Sequence, residues 1–154
     1  MMTQDQYLAE YGKTHRNPLN QWIHLFCVPA IVFSTIGLFW CLQIGAWLGL
    51  PAPYNPYLNV ATLGFIFAAI FYARLGITTA VIMTGFMLLC GWGCAMIASS
   101  IGIGGLAILC GAIWIAAWAV QFYGHHVEGA KPAFADDIAF LLIGPLFVWE
   151  KIKR

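Results

Sequence analysis

The chain has 154 residues, of which 62% are hydrophobic and 8% are charged, and its mean hydropathy is +0.82. Since a soluble domain carries about 25% charged residues, this composition excludes an ordinary soluble domain, and we predict a single integral membrane domain over residues 1–154. The formal net charge of +1 offers no basic surface to neutralise phosphates, so nucleic acid is not an expected partner.

The N-terminal residues predict an interfacial segment followed by a membrane helix. In the polar segment 3–14, two tyrosines and a leucine share one helical face, which is typical of an amphipathic helix at a membrane surface. Asn17 and Pro18 then form a helix start, because Asn is favoured at the N-cap and Pro at the first helical position. We predict a first membrane helix over about 18–50.

The remaining apolar segments predict an all-α fold, a polytopic membrane helical bundle with four transmembrane helices. After the first helix we expect a proline-dense turn at 51–57, a helix ending at Arg74, a helix over about 75–98, a glycine-containing turn at 99–105 and a helix over about 106–123. A crossing needs about 20 residues. The last apolar run, 138–149, is too short for one and contains Gly144 and Pro145, so we predict a re-entrant or interfacial helix there.

All four histidines lie in two polar islands, residues 15–24 and residues 121–128. Four crossings between the islands return the chain to its starting side, so we expect both islands to face the same leaflet. Lysines and arginines also collect on that side, and this charge bias makes it cytoplasmic. The predicted location is a bacterial inner membrane or the membrane of the endoplasmic reticulum.

The first island can bring two imidazoles together. His15 and His24 are nine residues apart and would point to opposite sides of one continuous helix, since each residue turns it by about 100°. The residue before a proline is pushed out of the helical region, so the break before Pro18 lets His15 fold back toward His24. A polar stripe that can orient an imidazole follows on the new helix, formed by Asn17, Asn20 or Gln21, and His24.

The second island places Gln121, His125 and Glu128 at i, i+4 and i+7, so they share one face if the helix reaches them. His126 points about 100° away from His125. For one island alone, ordinary hydrogen-bonding side chains at a membrane interface are the alternative. Two islands on one leaflet favour a functional site, because ionisable groups at this position are costly. Imidazoles with a carboxylate suit Fe(II), Zn(II) or Mn(II).

Two motifs stand out: Tyr11-x3-His15-x-Asn17-Pro18-x-Asn20-x3-His24 followed by Val28-Pro29, and Gln121-Phe-x-Gly124-His125 with Glu128 and then Pro132-Ala133. Together with the tail, residues 136–150, they resemble the 2-hydroxy fatty acid dioxygenases that act in converting phytosphingosine to odd-numbered fatty acids. The similarity covers almost the whole chain, although the middle helices match only in hydropathy.

This resemblance implies a membrane enzyme whose histidines hold Fe(2+). It implies His15, His24 and His125 as ligands, with His126 as the remaining candidate and Glu128 as a further ligand or an orienting residue. The implied reaction is the oxidative decarboxylation of a 2-hydroxy fatty acid by dioxygen to an acid one carbon shorter. The hydroxy acid supplies the electrons, so no flavin or nicotinamide is required.

Around these ligands we expect further functional residues. The predicted catalytic residues are Glu128, Asn20 and Gln121, and the predicted substrate contacts are Tyr11, Asn17 and Lys131. Lys131 could steer the substrate carboxylate at the membrane surface, or it could be an anchor on the positive side of the membrane.

Two alternatives stay open. A zinc hydrolase could use the same histidines to activate water, and a non-enzymatic lipid-binding or scaffold protein would need no metal at all. A homo-oligomer is also possible, because the glycines at 91, 93, 102 and 105 allow close contact between helices of one chain or of two.

Overall fold

The computed structural model describes residues 2–51 and 57–153, and every regular element in these residues is helical. The elements are, in chain order, α1 (Gln4–Lys13), α2 (Pro18–Trp40), α3 (Ile44–Trp47), α4 (Val60–Leu75), α5 (Ile77–Glu128), a short 3-10 helix (Ala133–Ala135) and α6 (Phe140–Ile152). The all-α class is therefore confirmed. Residues 52–56 of the predicted proline-dense turn lie outside the described residues.

Helix α1 forms where the sequence predicts an amphipathic segment. It begins with a capping box, in which Gln6 N donates to Thr3 Oγ1 (3.3 Å) and Thr3 N donates to Gln6 Oε1 (2.8 Å), so two backbone donors of the first turn are satisfied. Its buried residues are Tyr7 and Tyr11, and the Tyr7 ring meets Phe140 of α6 edge to face at 5.7 Å. The apolar face of α1 is thus covered by α6.

Helix α2 begins at Pro18 as predicted, but it ends at Trp40 instead of near residue 50. The predicted C-terminal boundary is therefore wrong. Two backbone hydrogen bonds draw the chain out of the helix, from Gly45 N to Leu58 O (2.7 Å) and from Val60 N to Leu42 O (3.2 Å). Residues 41–43 leave the helical path because these tertiary bonds replace intrahelical ones.

Helix α5 consists of two arms that meet at Gly102, which has φ 76° and ψ 168°. This conformation favours glycine, and it lies inside the turn predicted at 99–105. Cys94 and Cys110 belong to one packed core, although on a straight helix they would be about 24 Å apart at about 1.5 Å per residue. The chain therefore turns back at Gly102, so that Cys94 and Cys110, which lie on either side of it, pack in the same core within the second unit.

The chain divides into two compact units, one formed by Met1–Ile31 with Ile115–Arg154 and the other by Val32–Trp114. The core of the second unit contains three buried cysteines, Cys90, Cys94 and Cys110, packed with apolar side chains, as small hydrophobic residues would be. The first unit holds both polar islands. The single-domain assignment stays a prediction.

Two segments are long and apolar enough to cross a membrane, Pro18–Trp47 and Ile77–Glu128, whereas α4 is a shorter apolar helix. The last helix, α6, has 13 residues and contains Pro145. The described residues thus include two candidate membrane-spanning helices. The count of four crossings and the re-entrant path of α6 stay predictions.

Candidate metal centre

Three imidazoles from distant parts of the sequence meet in the first unit. His15 lies in the loop between α1 and α2, His24 lies on α2, and His125 lies near the end of α5. All three are buried, with exposed fractions of 2%, 1% and 5%, and one ligand atom from each lies within 4.8 Å of the others. The structure therefore unites residues from both polar islands.

Backbone carbonyls fix which ring nitrogen carries the proton in two of these histidines. His15 Nδ1 lies 2.6 Å from Tyr11 O, and His24 Nδ1 lies 2.8 Å from Asn20 O. Because a carbonyl oxygen can only accept, each Nδ1 must donate, and in the neutral ring the other nitrogen then holds a lone pair. The two Nε2 atoms are left without protons.

These two Nε2 atoms face each other at 2.9 Å. Two lone pairs at this distance repel unless a cation lies beside them. Burial lowers the pKa of His15 to about 4, so a proton is a poor occupant near neutral pH. A metal ion instead requires neutral imidazoles whose other nitrogen is held by an acceptor, and this is the arrangement found.

Other buried polar atoms beside the histidines also lack hydrogen-bond partners among the described residues. They are His125 Nδ1, Asn20 Oδ1 and Gln121 Oε1. Since buried polar atoms in folded proteins are nearly always satisfied, these atoms are ones that a bound metal ion or ligand would satisfy. An imidazole nitrogen and an amide oxygen can each coordinate a metal ion, and an amide oxygen can also accept a hydrogen bond from a hydroxyl group.

The break between α1 and α2 has the predicted form. Asn17 Oδ1 accepts from Leu19 N (2.9 Å), which caps the first turn of α2. Gln21 Nε2 donates to His15 O (2.7 Å), so α2 also holds the backbone of the loop histidine. Asn17, a predicted substrate contact, therefore has a structural role as a cap.

Glu128 joins the end of α5 to the start of α2. Its carboxylate accepts from Arg16 N (2.9 Å), Asn17 N (2.8 Å) and Asn20 Nδ2 (3.2 Å), and it is not a member of the three-histidine group. A carboxylate beside these N-terminal amides is favoured by the helix dipole as well. Of the two roles implied for Glu128, the geometry matches the orienting one.

Helix α5 continues to Glu128, so the predicted end near residue 123 is wrong. The extension puts Gln121, His125 and Glu128 on one helical face. Gly124 lies within this helix, and a Cβ there would be 2.5 Å from Asn20 Oδ1. Glycine at this position permits the close approach of α5 to α2.

Two aromatic rings cover the loop histidine. The Tyr11 ring stacks on His15, with ring centroids 4.0 Å apart and planes 4° apart, and the Phe147 ring of α6 lies 5.6 Å from His15. Burial raises the pKa of Tyr11 above its ordinary value, so the phenol stays protonated. Tyr11, predicted to touch substrate, thus forms a wall of the histidine cluster.

Two predicted residues, His126 and Lys131, are exposed, and His126 is outside the three-histidine group. Sequence reasoning missed Phe147 and Lys151, and the Lys151 ammonium donates to Gln21 Oε1 (2.7 Å). Phe147 belongs to an apolar run in which no pattern separates a site residue from a lipid-facing one. The basic C-terminal residues were visible, but nothing in their spacing pointed to α2.

Residues 1–154 match a protein-family model described as 2-hydroxy-palmitic acid dioxygenase Mpo1-like. This match includes every residue of the two polar islands and of α6. A search of curated proteins and a search of solved structures each found no match.

Proposed function

This chain belongs to the Mpo1-like family, whose model is described as 2-hydroxy-palmitic acid dioxygenase, and from that premise we propose that it is an Fe(2+)-dependent dioxygenase of 2-hydroxy fatty acids. The observation that carries the proposal is the pair of facing, unprotonated Nε2 atoms of His15 and His24, 2.9 Å apart. The buried His125 beside them supplies the third ligand.

The proposed reaction balances without an added reductant. A 2-hydroxy acid and dioxygen give a fatty acid one carbon shorter, carbon dioxide and water. The bond between C1 and C2 breaks, C2 is oxidised from an alcohol to a carboxylic acid, and C1 leaves as carbon dioxide. These changes release four electrons, all of which dioxygen takes up. The chain therefore needs no site for a nicotinamide or a flavin.

Different residues would bind the metal ion and orient its ligands. His15, His24 and His125 would hold Fe(2+) and leave coordination positions open, and the bound ion would supply the redox centre for substrate and dioxygen. The carbonyls of Tyr11 and Asn20 keep both Nε2 lone pairs directed inward. Glu128 fixes the loop that carries His15, while aromatic rings exclude water from one side of that imidazole.

The apolar helices agree with a lipid substrate. Both candidate spans, Pro18–Trp47 and Ile77–Glu128, carry site histidines near one end. We propose that the protein is embedded in a bilayer, with the histidine cluster at the cytoplasmic boundary of a bacterial inner membrane or of the endoplasmic reticulum. A fatty acid could then enter from the lipid phase while dioxygen, which is apolar, partitions into the same region.

The test is oxygen uptake by protein that has been purified without oxygen and loaded with Fe(2+). With 2-hydroxypalmitate we expect one dioxygen consumed for each pentadecanoic acid and each carbon dioxide formed. Palmitate, which lacks the 2-hydroxyl group, serves as the matched control and should give no uptake. Uptake without the shortened acid, or no uptake by iron-loaded protein, would sink the proposal.

A zinc hydrolase is the second candidate, and the donor set is the observation that favours it. Three histidines with an open position also make catalytic zinc sites. The donor set here is of that kind, because the carboxylate of Glu128 already accepts hydrogen bonds from the backbone and from Asn20. This candidate predicts one equivalent of zinc in the purified protein. It also predicts hydrolysis of a lipid ester or amide without any consumption of dioxygen.

A further inference from the structure

A cleft of about 260 Å³ lies beside the histidine cluster, between α2 and α6. Its lining includes the buried His24 and the exposed Lys151, together with apolar side chains such as Leu25, Val148 and Ile152. The cleft therefore connects a candidate metal ligand with a surface cation along an apolar wall. These three chemical features correspond to the hydroxyl-bearing carbon, the carboxylate and the alkyl chain of a hydroxy fatty acid.

Lys151 forms no direct ion pair among the described residues, and the acidic residues Asp5 and Glu150 line a second cavity together with it. Its ammonium group donates to Gln21 Oε1, a neutral amide, at 2.7 Å, and within residues 2–51 and 57–153 no carboxylate lies within 4.0 Å of it. The neighbouring Lys153 differs, because it pairs with Glu150 at 3.2 Å. Lys151 is thus available to an anion that enters the cleft.

Gln21 ties this cation to the histidine cluster. One end of its amide accepts from Lys151 Nζ, while the other end donates to His15 O at 2.7 Å. Holding a flexible lysine in one position costs side-chain entropy. The hydrogen bond to Gln21 offsets part of this cost. The same amide therefore sets the ammonium position relative to a candidate metal ligand.

We propose that Lys151 binds the carboxylate of the fatty acid and that the cleft receives the head of the molecule, an inference that rests on the proposed function. The carbon next to the carboxylate then lies toward His24, where the 2-hydroxyl group is needed. Clefts that enclose a drug-sized ligand measure about 300–1,000 Å³, so this smaller one takes the head and the first carbons. The rest of the alkyl chain stays outside the cleft.

Calorimetric titration without oxygen tests the assignment, because no turnover occurs. The probes are 2-hydroxyoctanoate and 1,2-octanediol, which keeps the hydroxyl group but lacks the carboxylate. We expect Lys151→Met to weaken binding of the acid about tenfold, between the effect of an exposed ion pair and that of a desolvated charged hydrogen bond. Binding of the diol should be unchanged, and Lys151→Arg should bind the acid as the wild type does.

Lys153→Met is the matched control, since it removes the same charge two residues away from Lys151. Equal weakening by both substitutions would overturn the proposal in favour of a general surface potential, and equal loss of acid and diol binding by Lys151→Met would show a structural role.

With active protein, Lys151→Met should raise KM and leave kcat and metal content unchanged. If Lys151 is needed for binding the acid but the protein consumes no oxygen, the dioxygenase proposal alone is wrong. If the protein turns over the acid and Lys151→Met does not weaken binding of the acid, the Lys151 assignment alone is wrong.

Discussion

The histidine cluster of the first unit and the cysteine core of the second unit are both buried groups of potential metal ligands, yet they differ in how their atoms are directed. In the cysteine core, Cys94 Sγ donates to Phe33 O at 3.8 Å and packs with apolar side chains. In the histidine cluster, backbone carbonyls accept hydrogen bonds from the Nδ1 atoms of His15 and His24 and leave the two Nε2 atoms of these residues facing each other. Both groups are buried and both contain residue types that can bind a metal, so the direction of the ligand atoms makes the difference.

A protonated thiol can be satisfied by one carbonyl, because it is a weak donor and a weak acceptor. The cysteines Cys90, Cys94 and Cys110 are free thiols, and within the described residues only the histidines form a group of three converging ligands. A neutral imidazole has a donor and an acceptor on opposite sides. Once the donor side is bound, the acceptor side must find a cation, a donor or water.

The largest expected difference between the two regions is the loss of metal binding when a histidine ligand is removed. His24→Ala deletes one of the facing Nε2 atoms, and we expect metal affinity and oxygen uptake to fall at least about 100-fold, since even groups behind the ligands contribute 10- to 100-fold. Cys94→Ala should change neither quantity. Metal analysis after dialysis against a fixed free-metal concentration measures the affinity.

His126→Ala is the stricter control for the same experiment, because it removes an imidazole that adjoins His125 in sequence but is exposed. Its metal content should equal that of the wild type. Loss of metal in His126→Ala would place that residue among the ligands, and retention of metal in His24→Ala would contradict the assignment of the centre.

Two glycines allow the same substitution to be made in each region. A Cβ at Gly124 would be 2.5 Å from Asn20 Oδ1 and 3.2 Å from Ile23 Cδ1, whereas a Cβ at Gly37 would collide with the Cys110 sulfur. Gly124→Ala and Gly37→Ala should each lower the free energy of unfolding by about 1–3 kcal/mol, as overpacking usually does. Only Gly124→Ala should also weaken metal binding, because its Cβ would displace Asn20 and Ile23 beside His24, whereas Gly37 and Cys110 lie in the second unit.

Thermal unfolding in detergent and metal titration of both variants check this prediction. Gly111→Ala is the control for helix propensity, since a Cβ there meets nothing within 4 Å and alanine favours a helix over glycine by about 1 kcal/mol. If Gly37→Ala weakened metal binding as much as Gly124→Ala, general loss of stability would explain both results.

Two local signals in the sequence select His15, His24 and His125, whereas the expectation that the two islands meet rests on the count of four crossings, which stays a prediction, and on the family resemblance. The break at Asn17–Pro18 has a strong signature, since both residues have defined preferences at a helix start. The i, i+4, i+7 spacing from Gln121 selects His125 over its neighbour, provided that the helix continues. Both signals depend on short-range geometry, which a sequence carries directly.

Tertiary contacts decided what the sequence did not reveal. Helix α2 ends at Trp40 because segments 42–45 and 58–60 exchange backbone hydrogen bonds, and no residue type marks that pairing. Phe147 covers His15 from a helix more than a hundred residues away, where it looks like any apolar residue. The need for glycine at 124 also becomes visible only when Asn20 is seen beside it.

The smallest effect is expected from substitution of Glu128. This substitution tests whether a residue that orients the loop carrying His15 is also a metal ligand. Glu128→Gln keeps the shape but sets an amide N–H against one of the two backbone donors, Arg16 N or Asn17 N. We expect metal affinity to fall about tenfold, the lower end for groups that position ligands. Glu150→Gln, which loses only an exposed pair with Lys153, should leave affinity unchanged.

The size of the Glu128 effect separates the two roles. A carboxylate that binds the metal would make Glu128→Gln as damaging as His24→Ala, and Glu128→Asp would not restore binding because its shorter side chain moves the oxygen away. An orienting carboxylate acts through the loop that carries His15, so its loss should be partly compensated by raising the metal concentration, with oxygen uptake at saturating metal close to that of the wild type. Titrating metal into both variants while recording oxygen uptake distinguishes these outcomes, since only a missing ligand lowers activity at saturation.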